Sequence, residues 1–236
     1  MARAGARLIA GLAVLAALCG AARAETVDVA LVLALDSSSS VNPDEYLLQV
    51  QGLAAAFASP EVQAAIDAGP NKAIAVAVVE WSSPGRQHLD IDWQRVTASD
   101  APALAETFGN MPRYVEGGGT AVGAGLNRAG VVLTTVPFQA TRRVIDLSGD
   151  GKNSAGPPPD PVRDSLVASG VTINALAILN EEADVDRFFA ASVIGGPGAF
   201  VERAQDYEDF IEAIKRKLLR EIRGEELVAA LTSARP

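Results

Sequence analysis

Val27-Asp28-Val29-Ala30-Leu31-Val32-Leu33-Ala34-Leu35 runs directly into Asp36-Ser37-Ser38-Ser39-Ser40. An apolar run of strand length, broken only by Asp28, predicts a strand buried on both faces, as in parallel sheets covered by helices on each side. Similar runs recur at Ala73–Val79, Val144–Leu147 and Val171–Ile178, with a short Ala199-Phe200-Val201 near the end. Between them lie helical patterns. Asn42 is a good N-cap and Pro43 suits the first helical position, with Tyr46, Leu47, Val50, Leu53, Ala54 and Phe57 at helical spacing. Leu126–Leu133 and Pro161–Ala168 read as further helices. A last helix aligns Tyr207, Phe210, Ile211, Ile214, Leu218 and Ile222 on one face; Asp206, Glu208 and Asp209 start it, and Lys215, Arg216, Lys217 and Arg220 lie towards its end, complementing the helix dipole. Arg86–Ile91, after Ser82-Ser83-Pro84-Gly85, reads as an edge strand folded back on its predecessor. The alternation predicts an α/β fold: a doubly wound, mostly parallel sheet with one antiparallel edge strand and helices on both faces.

The chain has 236 residues, 49% hydrophobic and 21% charged, which suits one globular core and excludes disorder as a description of the whole. Arg3 and Arg7 precede the apolar run Leu8–Leu18, and Ala22-Arg23-Ala24 offers small residues for cleavage. This pattern predicts a signal peptide over residues 1–24 and a single domain over 25–236, hence an exported, periplasmic or extracellular protein. The apolar run is shorter than the ~20 residues a spanning helix needs, so no stable membrane anchor is expected. Removing residues 1–24 takes away three arginines and no acid, moving the formal charge from −9 to −12. Such acidity argues against nucleic acid as partner. Nothing in the sequence specifies an oligomer. The only cysteine, Cys19, lies in the leader, and Leu18 stands where lipoprotein signals carry a small residue; the exported chain is therefore expected to lack disulfides, thiolate metal sites and cysteine nucleophiles.

Ligands of doubly wound sheets bind at the carboxyl ends of the strands. There, Asp36, Ser38 and Ser40 occupy alternate positions and can face one point. Gly117-Gly118-Gly119-Thr120 opens another helix, and Leu147-Ser148-Gly149-Asp150-Gly151 ends a third buried strand. Asp36, Ser38, Ser40, Thr120 and Asp150 are hard oxygen donors without His or Cys, a set that suits Mg²⁺, with Mn²⁺ or Ca²⁺ as alternatives. Glu80, Gly119, Gly151 and Asn153 are candidates for the rim of this site. Two carboxylates balance a divalent charge; neutral hydroxyls leave the ion electrophilic towards an incoming anion.

The ordered combination Asp-x-Ser-x-Ser, distant Thr, distant Asp resembles the von Willebrand factor A-type domain and its metal-ion-dependent adhesion site. The resemblance implies that Ser38, Ser40 and Thr120 touch the ion, that Asp36 and Asp150 act largely through water, and that a partner's Glu or Asp completes the coordination. Val144–Gly151 and Val193–Val201 also make the chain similar to a bacterial family of exported single-domain proteins of this type, of unassigned function.

Other features carry less. Asp146 lies about 13 Å along its strand from Asp150, too far to share an ion, so a structural hydrogen bond to Asn174 on a neighbouring strand is expected. Glu80 reads as a salt-bridged strand end or a rim carboxylate. His88, the only histidine, is expected to be exposed, and without a second base a Ser-His-Asp triad has little support. The glycine-Thr loop lacks the Lys-Ser/Thr ending of a phosphate-binding loop. Trp81, Trp93 and Tyr114 are too scattered for an aromatic platform and suit core or rim packing. The expectation is a non-enzymatic, metal-dependent protein-binding module in the bacterial cell envelope that captures a partner carboxylate. The alternative is a metal-dependent hydrolase or phosphatase, weakened because Ser38 stands where haloacid-type phosphatases carry their acid/base Asp.

Overall fold

The computed structural model describes residues 24–233, with side chains through Gly224. Residues 1–23, which carry the expected leader and Cys19, and residues 234–236 lie outside the described residues. Six strands form one sheet: β1 (Thr26–Asp36), β2 (Ile74–Trp81), β3 (Gln87–Val96), β4 (Gln139–Gly149), β5 (Val171–Ile178) and β6 (Val201–Ala204). Their order is β3-β2-β1-β4-β5-β6, and only the edge pair β2/β3 is antiparallel. The α/β architecture expected from the sequence is therefore present, with β1 at its centre.

Helices α1 (Pro43–Ala58), α2 (Pro60–Asp67), α3 (Ala101–Gly109) and α7 (Tyr207–Ser233) cover one face; α4 (Val122–Thr134), α5 (Pro159–Ala168), the short α6 (Val185–Phe188) and the π-helical turn Phe189–Val193 cover the other. Because side chains alternate across a strand, β1 sends Val29, Leu31, Leu33 and Leu35 to the α1/α7 side and Ala30, Val32 and Ala34 to the α4 side. Asn42 caps α1 through a reciprocal box: its Oδ1 accepts from the Asp44 and Glu45 amides, and the Glu45 carboxylate accepts from the Asn42 amide. Two close approaches set the layers. A Cβ on Gly52 of α1 would stand 2.8 Å from Cδ1 of Phe210 on α7, and one on Gly125 of α4 would stand 2.8 Å from the fully buried indole of Trp81.

Several elements differ from the sequence expectation. β3 and β4 are longer: their added residues, Asp92–Val96 and Gln139–Arg143, alternate or are half-exposed at the margin of the sheet and lack an apolar run. The final strand begins at Val201, because Gly196 and Gly198 take positive φ and turn the chain before it. α2 and α3 were not expected; both are short and start with proline in the first turn. Helix α7 breaks at Gly224 (φ 70°, ψ 162°). Among the described residues no helix is long and apolar enough to cross a membrane.

Candidate metal centre

Parallel register brings the carboxyl ends of β1 and β4 together, with Leu35 opposite Ser148 and Asp36 opposite Trp81 of β2. The Ser37 amide still donates to Trp81 O at 2.8 Å; beyond it the chain turns, because Asp36 Oδ1 accepts from the Ser38 amide at 2.8 Å. The turn aims alternate hydroxyls the same way. Ser38 Oγ and Ser40 Oγ lie 3.0 Å apart, and Ser40 Oγ donates to Asp150 Oδ1 at 2.7 Å. A Cβ on Gly149 would sit 2.9 Å from Asp36 Oδ2, so the missing side chain is what lets β4 close on Asp36.

Thr120 is delivered by the glycine loop. Gly117 and Gly118 take φ of 62° and 94°, the Gly119 amide donates to Ser83 Oγ at 2.8 Å, and a Cβ on Gly119 would stand 2.9 Å from Ala155 Cβ. The Thr120 amide donates to Ser154 Oγ at 3.0 Å, and its carbonyl accepts from the Ser154 and Ala155 amides. The threonine therefore sits beside the Asp150–Gly151 turn, where a Cβ on Gly151 would be 3.5 Å from Thr120 Oγ1. All five sequence candidates gather at one sheet edge.

The electrostatics fit a cation. Burial, then the charge of Asp150, pushes the Asp36 carboxyl up to about 7, and burial likewise raises Asp150. Asp36 Oδ2 is buried with no hydrogen-bond partner among the described residues. Two carboxylates facing one another with an unpartnered oxygen and adjacent hydroxyls are a donor set that a hard divalent ion would complete. Among the described residues no cluster of three or more His, Cys, Asp or Glu is arranged to hold a metal.

The rim candidates separate. Gly119 and Gly151 lie at the site; the Asn153 carboxamide instead accepts from the Gly123 amide at 3.3 Å, capping α4. Glu80 is fully buried behind the loop: its Oε2 accepts from the Tyr114 amide at 2.8 Å, and its Oε1 is 4.0 Å from Arg113 Nε. His88 is half-exposed, 2.7 Å from Asp90 and stacked on Tyr114.

The sequence reading missed three supporting residues. Arg113 donates to the Ser37 carbonyl at 2.9 Å and to Ser37 Oγ at 2.6 Å, bracing the serine loop. Gln49 of α1 donates to the Asp36 carbonyl at 3.1 Å. Tyr207, at the start of α7, donates its hydroxyl to Asp150 Oδ2 at 3.0 Å, and burial with the adjoining Asp150 raises its own pKa. Their separations of 76, 13 and 57 residues from their partners leave no local signal. The expected Asp146–Asn174 hydrogen bond is also corrected. The two are opposite one another in β4 and β5, but Asp146 binds buried Lys217 at 2.6 Å, and Asn174 donates to Glu221 at 2.8 Å. Lys217, expected to complement the helix dipole, is fully buried and bridges Asp146 to Glu221.

The six-stranded, mostly parallel sheet with one antiparallel edge strand is a von Willebrand factor A-like fold. Residues 26–226 match the family described as protein of unknown function DUF1194, and the chain belongs to it. No functionally curated protein matches it in sequence. Similar solved structures include proximal thread matrix protein 1 from the mussel byssus with a zinc-occupied MIDAS motif (19% identity, TM-score 0.55, covering 87% of this chain and 50% of that one). Others are a von Willebrand factor type A protein from Catenulispora acidiphila (18%, TM-score 0.57, 84% and 43%) and the pilus adhesin SpaC from Lactobacillus rhamnosus GG (15%, TM-score 0.60, 86% and 31%). The chain spans half or less of each of these proteins' length.

Proposed function

We propose that the protein is an exported, non-enzymatic binding module whose divalent ion, Mg²⁺ in the first instance, captures a carboxylate of a protein partner. One observation carries the reading: two buried carboxylates and two hydroxyls converge at the sheet edge while Asp36 Oδ2 has no partner among the described residues. The structural neighbours that are adhesin and matrix proteins support it. Ser38, Ser40 and Thr120 would hold the ion, with Asp36 and Asp150 balancing its charge. When bound, the ion supplies a Lewis-acidic position open to an anionic oxygen. The chain's own residues do the positioning: Gln49 and Arg113 hold the carbonyls of Asp36 and Ser37, and Tyr207 fixes one Asp150 oxygen. His88 is turned to Asp90 and Tyr114, so no histidine base is offered to a nucleophile at Ser38.

The test is a pull-down from bacterial envelope extract in Mg²⁺, in EDTA and with Asp150→Ala, alongside a phosphoesterase assay. A partner retained only by wild type in Mg²⁺ is expected. Retention unchanged by EDTA and by the substitution would discard the mechanism, and Mg²⁺-dependent hydrolysis lost in Asp36→Ala would overturn the non-enzymatic reading.

A further inference from the structure

The opposite end of the sheet holds a second arrangement unrelated to the adhesion-type reading. Arg142, near the start of β4, lies eight residues before Asp150, about 26 Å away along an extended strand. Around it, between the amino ends of β1, β4 and β5 and the break in α7, is a cleft of about 760 Å³. Small-molecule sites span roughly 300–1,000 Å³.

Its walls are unusual for a chain of net charge −9: four arginines, Arg142, Arg143, Arg220 and Arg223, against the two acids Asp28 and Glu221. Asp28 is engaged by Asn71, whose amide and carboxamide both donate to its Oδ1. Arg142 donates to the Glu221 and Ile222 carbonyls at 2.6 and 2.8 Å, ending the helix. Arg220 stacks 3.7 Å over the Phe200 ring, giving the cleft an aromatic wall. Arg143 donates to the Ser169 carbonyl, and among the described residues neither it nor Arg223 forms an ion pair.

Glu221 supplies the independent observation. It is fully buried against Lys217 and Asn174, which both donate to Oε1, yet its Oε2 has no partner among the described residues. Leaving a buried polar atom unpaired is costly. Burial, then Asp146, pushes this carboxyl up to about 8. Glu221 thus adds an unsatisfied buried oxygen beside the cleft it helps to line. The guanidiniums favour an anion, and Phe200, Val144, Pro197 and Ile222 favour an apolar body.

We propose that this cleft binds a small organic acid with an anionic head and a short apolar body. The test is calorimetry on the full chain with octanoate, phenyl phosphate, inorganic phosphate and octylammonium, with binding mapped by amide NMR. One organic anion is expected to bind at one site and shift Asn174, Phe200 and Gly224. Octanoate alone would assign a carboxylate head, and phenyl phosphate alone a phosphate ester. The double variant Arg143→Gln/Arg223→Gln, both partly exposed, should weaken it at least tenfold, while Asp150→Ala leaves it unchanged. Binding of neither acid, equal binding of octylammonium or of inorganic phosphate, or shifts confined elsewhere would each overturn the proposal, whether or not the double variant folds.

Discussion

Asp36 and Glu221 are both fully buried carboxyls with one oxygen that has no partner among the described residues, and burial raises both, but their surroundings differ. Asp36 faces hydroxyls and a second carboxylate, whereas Glu221 shares Lys217 with Asp146 inside the α7 face. Glu221 carries a testable sign. Its folded pKa, about 8, lies above the ordinary 4.5, so between those values the folded chain holds a proton the unfolded chain has released. Raising the pH through that window therefore weakens the fold. Glu221→Gln has no such proton to lose, and its stability relative to wild type should rise between pH 5 and pH 8.5 in urea unfolding. An unchanged difference would mean that Glu221 is ionised throughout. At this scale the sequence was legible where chemistry repeats at short spacing: Asp36, Ser38 and Ser40 could be read together. Lys217 could not, because on a helix pattern a lysine among Lys215, Arg216 and Arg220 looks solvated. Its burial depends on Asp146, 71 positions earlier, which no local pattern links to it.

α1 and α7 meet where Gly52 admits Phe210, and the Ile211 Cα would be 3.3 Å from a Cβ at Gly52. Backbone cannot retreat as a side-chain tip can. Gly52→Val should therefore destabilise by about 1–3 kcal/mol in urea unfolding, more than offsetting any gain in helix propensity. A neutral result would mean the two helices can part without cost. The helix beginning at Pro43 was legible because the cap, the proline and the apolar face agree. α3 was not: its N-cap position, Asp100, makes no side-chain cap bond, and nine residues hold too few turns to declare a period. Asp100 instead accepts from Thr97, which holds its carboxyl below the usual range.

For the whole molecule, the α/β class and strand sequence followed from the buried runs, while the extents of β3 and β4 did not. Their margins are polar and are strands only because a neighbour offers a ladder. A ligand that binds only the folded chain stabilises it by mass action. Under the proposed function, Mg²⁺ at a hundredfold its Kd should add about 2.7 kcal/mol to the unfolding free energy. The gain should vanish in Asp150→Ala, as read by thermal melts with and without EDTA. Equal gains in both proteins would place the ion elsewhere.

Trp81 is opposite Asp36 in register, its carbonyl receives the Ser37 amide, and its fully buried ring lies on Gly125 of the helix that follows Thr120. The indole is thus mechanically joined to both segments that would close around an ion. It is one of only two tryptophans. The molecule carries its own optical gauge: emission wavelength and near-ultraviolet ellipticity respond to motion of either segment, without a dye or a label.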